Sequence, residues 1–336
     1  MVQALVTFVI AAAFIVAAGY YLTRFADAIA DITGWGRLLV GSILLAGATS
    51  LPELSVDINA ILIKQPDLAA GDLMGSCLCN LLILALLDMS YLSRGRMLSR
   101  LSAAHALSGM MAIMLAAVAA IGILARPALH VPILGLGVGT ISILVVYIGG
   151  SRLIYHDQLM AARPDTPGPD QAVLIPAHPS MSLRQAVGGF VAAALVILVV
   201  SPFLAHSADR LAELSGLGRT FVGTTLVALC TSLPELVASI AALRMGAYDL
   251  AIGNVFGSNA FNIAMFALLD FVQPGSLLQV IAPTHALTAS AVILVTAVAC
   301  AGQLYRVESR RRFIEPDAFL VVSLVLGAMG LVYWYG

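Results

Sequence analysis

Residues 41–54 read GSILLAGATSLPEL, and residues 223–236 read GTTLVALCTSLPEL. The offset is 182 residues, and it also aligns 67–80, DLAAGDLMGSCLCN, with 249–262, DLAIGNVFGSNAFN. The register runs back to Asp27 and Asp209, Gly34 and Gly216, and Arg37 and Arg219, and forward to Asp88 and Asp270. One unit is written twice along the chain.

Composition says where that unit resides. Of 336 residues, 60% are hydrophobic and 10% charged, against about 25% charged in a soluble domain. Apolar stretches long enough to cross a hydrocarbon core of about 30 Å recur along the chain. The reading is all-α: a polytopic membrane protein of about ten transmembrane helices. The spans lie near 3–23, 38–63, 67–89, 102–124, 129–150, 185–205, 220–243, 248–271, 282–302 and 316–335. The apolar start has no basic segment after Met1 and runs into the repeat, so it reads as a first membrane helix and not a cleaved signal.

A polar, proline-bearing connection from about Arg152 to Arg184 separates the copies. The division is a first five-helix repeat over 1–151, a linker over 152–183 and a second repeat over 184–336. Thirteen of the seventeen Lys and Arg fall on the linker's face of the membrane and four on the other. The positive-inside rule then makes the linker cytoplasmic and puts both termini outside. With five spans each, the two repeats are inverted relative to one another. The net charge of −1 and the absence of a basic stripe argue against nucleic acid.

Transporters built from inverted repeats bind substrate near the midplane, where broken helices of the two halves meet. The duplicated TSLPE suits such a break. Pro52 and Pro234 each remove a backbone donor, freeing a carbonyl one turn earlier. Irregular backbone at that depth is tolerated where it is buried in protein or lines a wet cavity. Beside each proline stands a glutamate, Glu53 and Glu235. A charge at the bilayer centre costs at least about 2.5–3.5 kcal/mol, and two of them repel each other. A divalent cation between the carboxylates removes both penalties and finds the hard oxygen ligands that calcium prefers.

The following span of each repeat carries a Ser and an Asn four residues apart, Ser76 with Asn80 and Ser258 with Asn262. That spacing makes one polar helical face, expected to turn toward the glutamates. Gly71, Gly75, Gly253 and Gly257 read as close-packing positions. Cys77 and Cys79 read as small packing residues, although a C-x-C pair could in principle hold a soft metal. His105 and His285, each in H-A-L at the start of a span, read as repeat-related helix-end residues.

With GATSLPE and GDLMGSCLCN in one half and TSLPE and GNVFGSNAFN in the other, the chain resembles the cation/calcium antiporter superfamily, close to the prokaryotic sodium/calcium exchangers. The resemblance covers essentially the whole chain. It implies a calcium site of Glu53 and Glu235 with the backbone oxygens of Thr49 and Thr231. It also implies sodium positions at the carbonyls of Ala46 and Ala228 and at Ser50, Ser76, Ser232 and Ser258. The first and sixth spans would slide across the rest. No cofactor is implied; the transported ions are calcium and sodium, the surroundings are the lipid bilayer of a bacterial or archaeal plasma (inner) membrane, and no protein partner can be named.

The chain departs from the family where Asn262 replaces a common aspartate. Two glutamates then give the centre a formal charge of −2, which suits one calcium ion and leaves the sodium count and proton coupling open. Asp57 and Asp72 stand where the second repeat has Ser239 and Asn254. They read either as wetted vestibule acids or as an outer cation station. Calcium/sodium antiport leads; calcium/proton or other divalent cation/proton exchange is the alternative, with a cation channel and an intramembrane enzyme as remoter classes. TSLPE offers no acid–base or nucleophile arrangement, so the protein reads as no enzyme.

Overall fold

The computed structural model describes residues 1–90, 103–125, 130–131, 136–161, 181–215, 230–273, 275–305 and 316–335. The fold is helical apart from one antiparallel pair of two-residue strands, His130–Val131 with Leu136–Gly137. In chain order the helices are α1 Val2–Thr33, α2 Arg37–Thr49, α3 Leu51–Leu62, α4 Pro66–Met89, α5 Ala103–Ala125 and α6 Val138–Ala161. After residue 161 come α7 Leu183–Ser215, α8 Leu233–Arg244, α9 Tyr248–Asp270, α10 Leu277–Val280, α11 His285–Tyr305 and α12 Pro316–Tyr335.

Among the described residues, seven helices are long and apolar enough to span a bilayer, and α2–α3, bent by 44°, makes an eighth when the bent pair is counted as one span. The other two expected spans are α12, whose apolar run is shorter, and 220–243, described only from residue 230. Several limits differ from the sequence reading. Helices α1 and α7 have 32 and 33 residues, about 48–50 Å at 1.5 Å per residue. Their polar ends, with Arg24, Asp27 and Asp31 in α1 and His206, Asp209 and Arg210 in α7, mark where the apolar surface stops, not where the helix stops. Gly34 stops α1: at φ 69° it adopts the left-handed conformation and its N–H returns to the Ala30 carbonyl.

The span expected from 129 starts as a helix only at Val138, because proline and glycine in HVPILGLG disfavour helix there. The same helix runs to Ala161, so the first ten residues of the expected linker are helical.

The two repeats share one core. Helix α9 is the most enclosed, with 89% of its membrane window buried, against 22% for α1 and 28% for α7. Helices α1 and α7 pack mainly on each other at the periphery. Elsewhere the contacts cross: α1 meets α8, α7 meets α3, α5 meets α9, and α11 meets α4. Each helix thus leans on an element of the other repeat, as a two-fold relation within the membrane plane demands. The glycines act as expected in one half only. A Cβ on Gly253 or Gly257 would strike the backbone of α2, whereas one on Gly75 would meet nothing within 4 Å.

The H-A-L histidines complete the crossing. His105 Nε2 lies 3.0 Å from Asp249 Oδ1 and His285 Nε2 lies 3.1 Å from Asp67 Oδ1, so that α5 meets the first turn of α9 and α11 the first turn of α4. Both aspartates are half-exposed, so each contact is worth about 0.5–1.5 kcal/mol. His105→Ala is expected to lower the melting temperature in detergent by a few degrees. Adding Asp249→Asn should cost little more if the two act as a pair.

Candidate functional site

The break lies at Ser50, whose φ −89° and ψ 10° leave the helical region and separate α2 from α3. Pro52 occupies the first turn of α3, so the Ala48 carbonyl receives no N–H from one turn onward. Ser232, at φ −81° and ψ 4°, does the same before Pro234 and α8. Glu53 and Glu235 therefore sit in the first turns of two half-helices, where the unpaired N–H ends favour negative charge. That benefit is typically about 0.3–1 kcal/mol, below the cost of at least about 2.5–3.5 kcal/mol for a charge at the bilayer centre. The helix ends alone do not hold two carboxylates here.

Both glutamates are fully buried, and Glu235, Asp72 and Asp57 are near enough for their charges to act on Glu53. The two sides of the centre differ. Ser50 Oγ donates to Glu235 Oε1 at 3.1 Å. Thr49 Oγ1 lies 3.3 Å from Asn254 Oδ1 and 3.4 Å from Ser258 Oγ. Asn254 Nδ2 in turn donates to the Glu235 carbonyl at 3.4 Å and to Ser239 Oγ at 3.3 Å. Thr49, Ser50, Glu235 and Ser258 are thereby drawn together.

By contrast, both carboxylate oxygens of Glu53 and the hydroxyls of Ser76 and Ser232 are buried without a hydrogen-bond partner. Glu235 Oε2 is in the same condition. Buried polar atoms rarely stay unpaired, and these five are all oxygens. They suit a hard cation.

Other expected site residues fall less simply. Asn80 Nδ2 donates to Asn259 Oδ1 at 3.1 Å, and Asn259 Nδ2 to the Cys77 carbonyl at 3.2 Å, so these amides lock α4 to α9. Asn80 Oδ1 remains unpaired. Asn262 lies against the Cys77 thiol. Cys77 and Cys79 are free thiols. The Ala46 carbonyl already accepts the Ser50 N–H at 3.0 Å and lies 3.2 Å from Thr49 Oγ1. Thr231 is buried at the second break; Ala228 lies outside the described residues.

Asp57 is completely buried, which removes the reading of it as a wetted vestibule acid. Reading residues singly missed Asn254 as the hub between Thr49, Glu235 and Ser239, although its offset from Asp72 marked the position. It also missed the π-helical turn Val40–Leu45, which lies where α2 meets α9. Among the described residues no three His, Cys, Asp or Glu side chains converge to hold a metal.

The profile of the family described as sodium/calcium exchanger protein matches residues 3–152 and 185–334, one stretch in each repeat. CaxA of Alkalimonas amylolytica, provisionally named an antiporter, is 30% identical over 262 residues, 74% of this chain and 75% of its own. The sodium/calcium exchanger MaX1 of Methanosarcina acetivorans is 35% identical over 129 residues, 38% of this chain and 37% of its own. The solved structure of the sodium-calcium exchanger NCX_Mj, soaked with 100 mM Na+ and 10 mM Sr2+, has the same fold. Its TM-score is 0.71 at 18% identity, covering 98% of each chain.

Proposed function

The chain belongs to the sodium/calcium exchanger protein family, and from that premise we propose that it exchanges calcium for sodium by alternating access. It is an integral membrane transporter of the cation/calcium antiporter kind, not an enzyme. The observation that carries the finer reading is Glu53, buried with both carboxylate oxygens unpaired, across from Glu235.

Calcium between the two carboxylates supplies the missing partner of Glu53 and cancels their formal charge. Ser50, already on Glu235, positions that carboxylate, and the backbone oxygens of Thr49 and Thr231 complete the hold. Sodium competes for the same oxygens with Ser76, Ser232 and Ser258 as further ligands. Asn80 and Asn262 set the polar face behind them. Ala46 would offer its carbonyl only once the Thr49 hydroxyl turns away, and Ala228 is its counterpart in the second repeat. The peripheral pair α1–α7, little buried against the rest, can move across the core and open the centre to either side.

In this reading the repeats divide at 1–151 and 184–336, with the connection cytoplasmic and both termini outside a bacterial or archaeal plasma membrane. A phosphatase fused to the C-terminus should be active; an inactive fusion with a fluorescent cytoplasmic one would reverse the orientation.

Radioactive calcium uptake into proteoliposomes tests the exchange. An outward sodium gradient is expected to raise initial uptake at least about tenfold over equal sodium on both sides. Uptake indifferent to sodium but driven by a pH gradient would replace sodium with protons as the coupling ion.

A further inference from the structure

The internal repeat provides a control for every side chain at the centre. In the second half, Asn254 Nδ2 donates to Ser239 Oγ at 3.3 Å, a neutral pair that satisfies itself. The same two positions in the first half hold Asp72 and Asp57. Their carboxyl groups lie within hydrogen-bonding reach of one another. Neither can donate when ionised. Both oxygens of Asp57, a fully buried residue, lack a partner, and so does the buried Oδ2 of Asp72.

The pair stands one helical turn from Glu53 along α3, about 6 Å by helical rise. When ionised, it lies near enough to Glu53 for its charge to act there. The interior around the break thus holds four carboxylates, and one calcium ion at Glu53 and Glu235 balances only two of them.

We propose that Asp57 and Asp72 form a second cation site in the first repeat, beside the central one, that takes a hard cation, sodium or calcium. The donors favour that class: all are carboxylate oxygens, with no nitrogen ligand in the pair. Partial exposure of Asp72 provides contact with the surroundings, whereas Glu53 has none. A cation held there offsets charge that would otherwise weigh on the central pair, and it stands between Glu53 and the Lys64 end of α3.

The proposal takes the central pair as the transported-ion site, and its test separates the two. Saturation binding of radioactive calcium and, in a second arm, radioactive sodium is measured at fixed pH on the full-length protein in detergent. The double variant Asp57→Ser with Asp72→Asn writes the second repeat's own pair into the first. It is expected to bind one ion fewer per chain in the calcium or the sodium arm, the arm naming the ion. Asp57→Asn, which keeps the shape and removes one charge, should weaken that same ion at least tenfold. Glu53→Gln with Glu235→Gln should lose the central ion and retain this one.

Unchanged stoichiometry and affinity in both arms for the folded aspartate variants would overturn the second site. So would a change confined to proton uptake, since the pair would then share a proton and hold no metal ion. Failure of the central reading shows separately, as unchanged binding in the glutamate variant.

Discussion

Glu53→Gln is expected to abolish calcium exchange while raising the melting temperature of the ion-free protein. Removing one member of a buried charged contact costs about 2–5 kcal/mol, which is roughly a 30-fold or greater loss of affinity. Transport should fall at least as far, because the remaining glutamate cannot neutralise a divalent ion. Stability should move the other way. Both oxygens of Glu53 are buried and unpaired, so without an ion the carboxylate must either stay charged at a large desolvation cost or take up a proton, and a neutral amide needs neither.

Glu235→Gln gives the internal comparison. Transport should be lost to the same degree, but the melting temperature should change less, since Ser50 already satisfies Glu235 Oε1. Calcium flux in proteoliposomes and thermal unfolding in detergent read the two effects separately. Retained exchange in either variant would remove the glutamates from the ion path.

The second large effect concerns a backbone contact. A Cβ on Gly257 would sit 2.4 Å from both the Cα and the carbonyl oxygen of Ser42. Those are main-chain atoms of α2, so no side-chain rotation relieves the clash and the broken helix itself must shift. Overpacking of this kind costs about 1–3 kcal/mol and sometimes more. Gly257→Ala should therefore lose most folded protein, judged by size-exclusion profile and melting temperature, and whatever folds should not transport. Gly75→Ala, its counterpart at the same offset, should be neutral or slightly stabilising, because nothing lies within 4 Å and alanine favours helix. Equal outcomes at the two glycines would contradict the asymmetric packing.

Much of this arrangement was legible in the sequence because the chain states it twice. The offset of 182 residues located the breaks, the glutamates and the partnered Ser and Asn positions. The proline in each TSLPE marked the bend, and burial confirms that both carboxylates are interior. Helix ends were poorly legible: Asp27, Asp31, Asp209 and Arg210 end an apolar surface, yet hydrogen-bonded helix continues beneath them. One difference between the two halves could not be read. Ser50 reaches Glu235 while Ser232 makes no such contact with Glu53, although both serines stand in the same TSLPE. Only their three-dimensional neighbours differ. Asp57 read as a wetted vestibule acid or part of an outer cation station, but its burial depends on α4 and on the elements around it, which no local pattern specifies.

The crossed contacts also govern how the protein can be made. Helix α5 finds its counterpart in α11, His105 in Asp249, and His285 in Asp67, each on the far side of the chain's midpoint. When the first repeat has left the ribosome, α4 therefore still faces lipid or an insertion partner along the surface meant for α9 and α11. Insertion of the helices can proceed in order from the N-terminus. Consolidation of the ion-binding centre must wait until α9 has entered the membrane, so biogenesis ends with one late joining step and not with two halves maturing in turn.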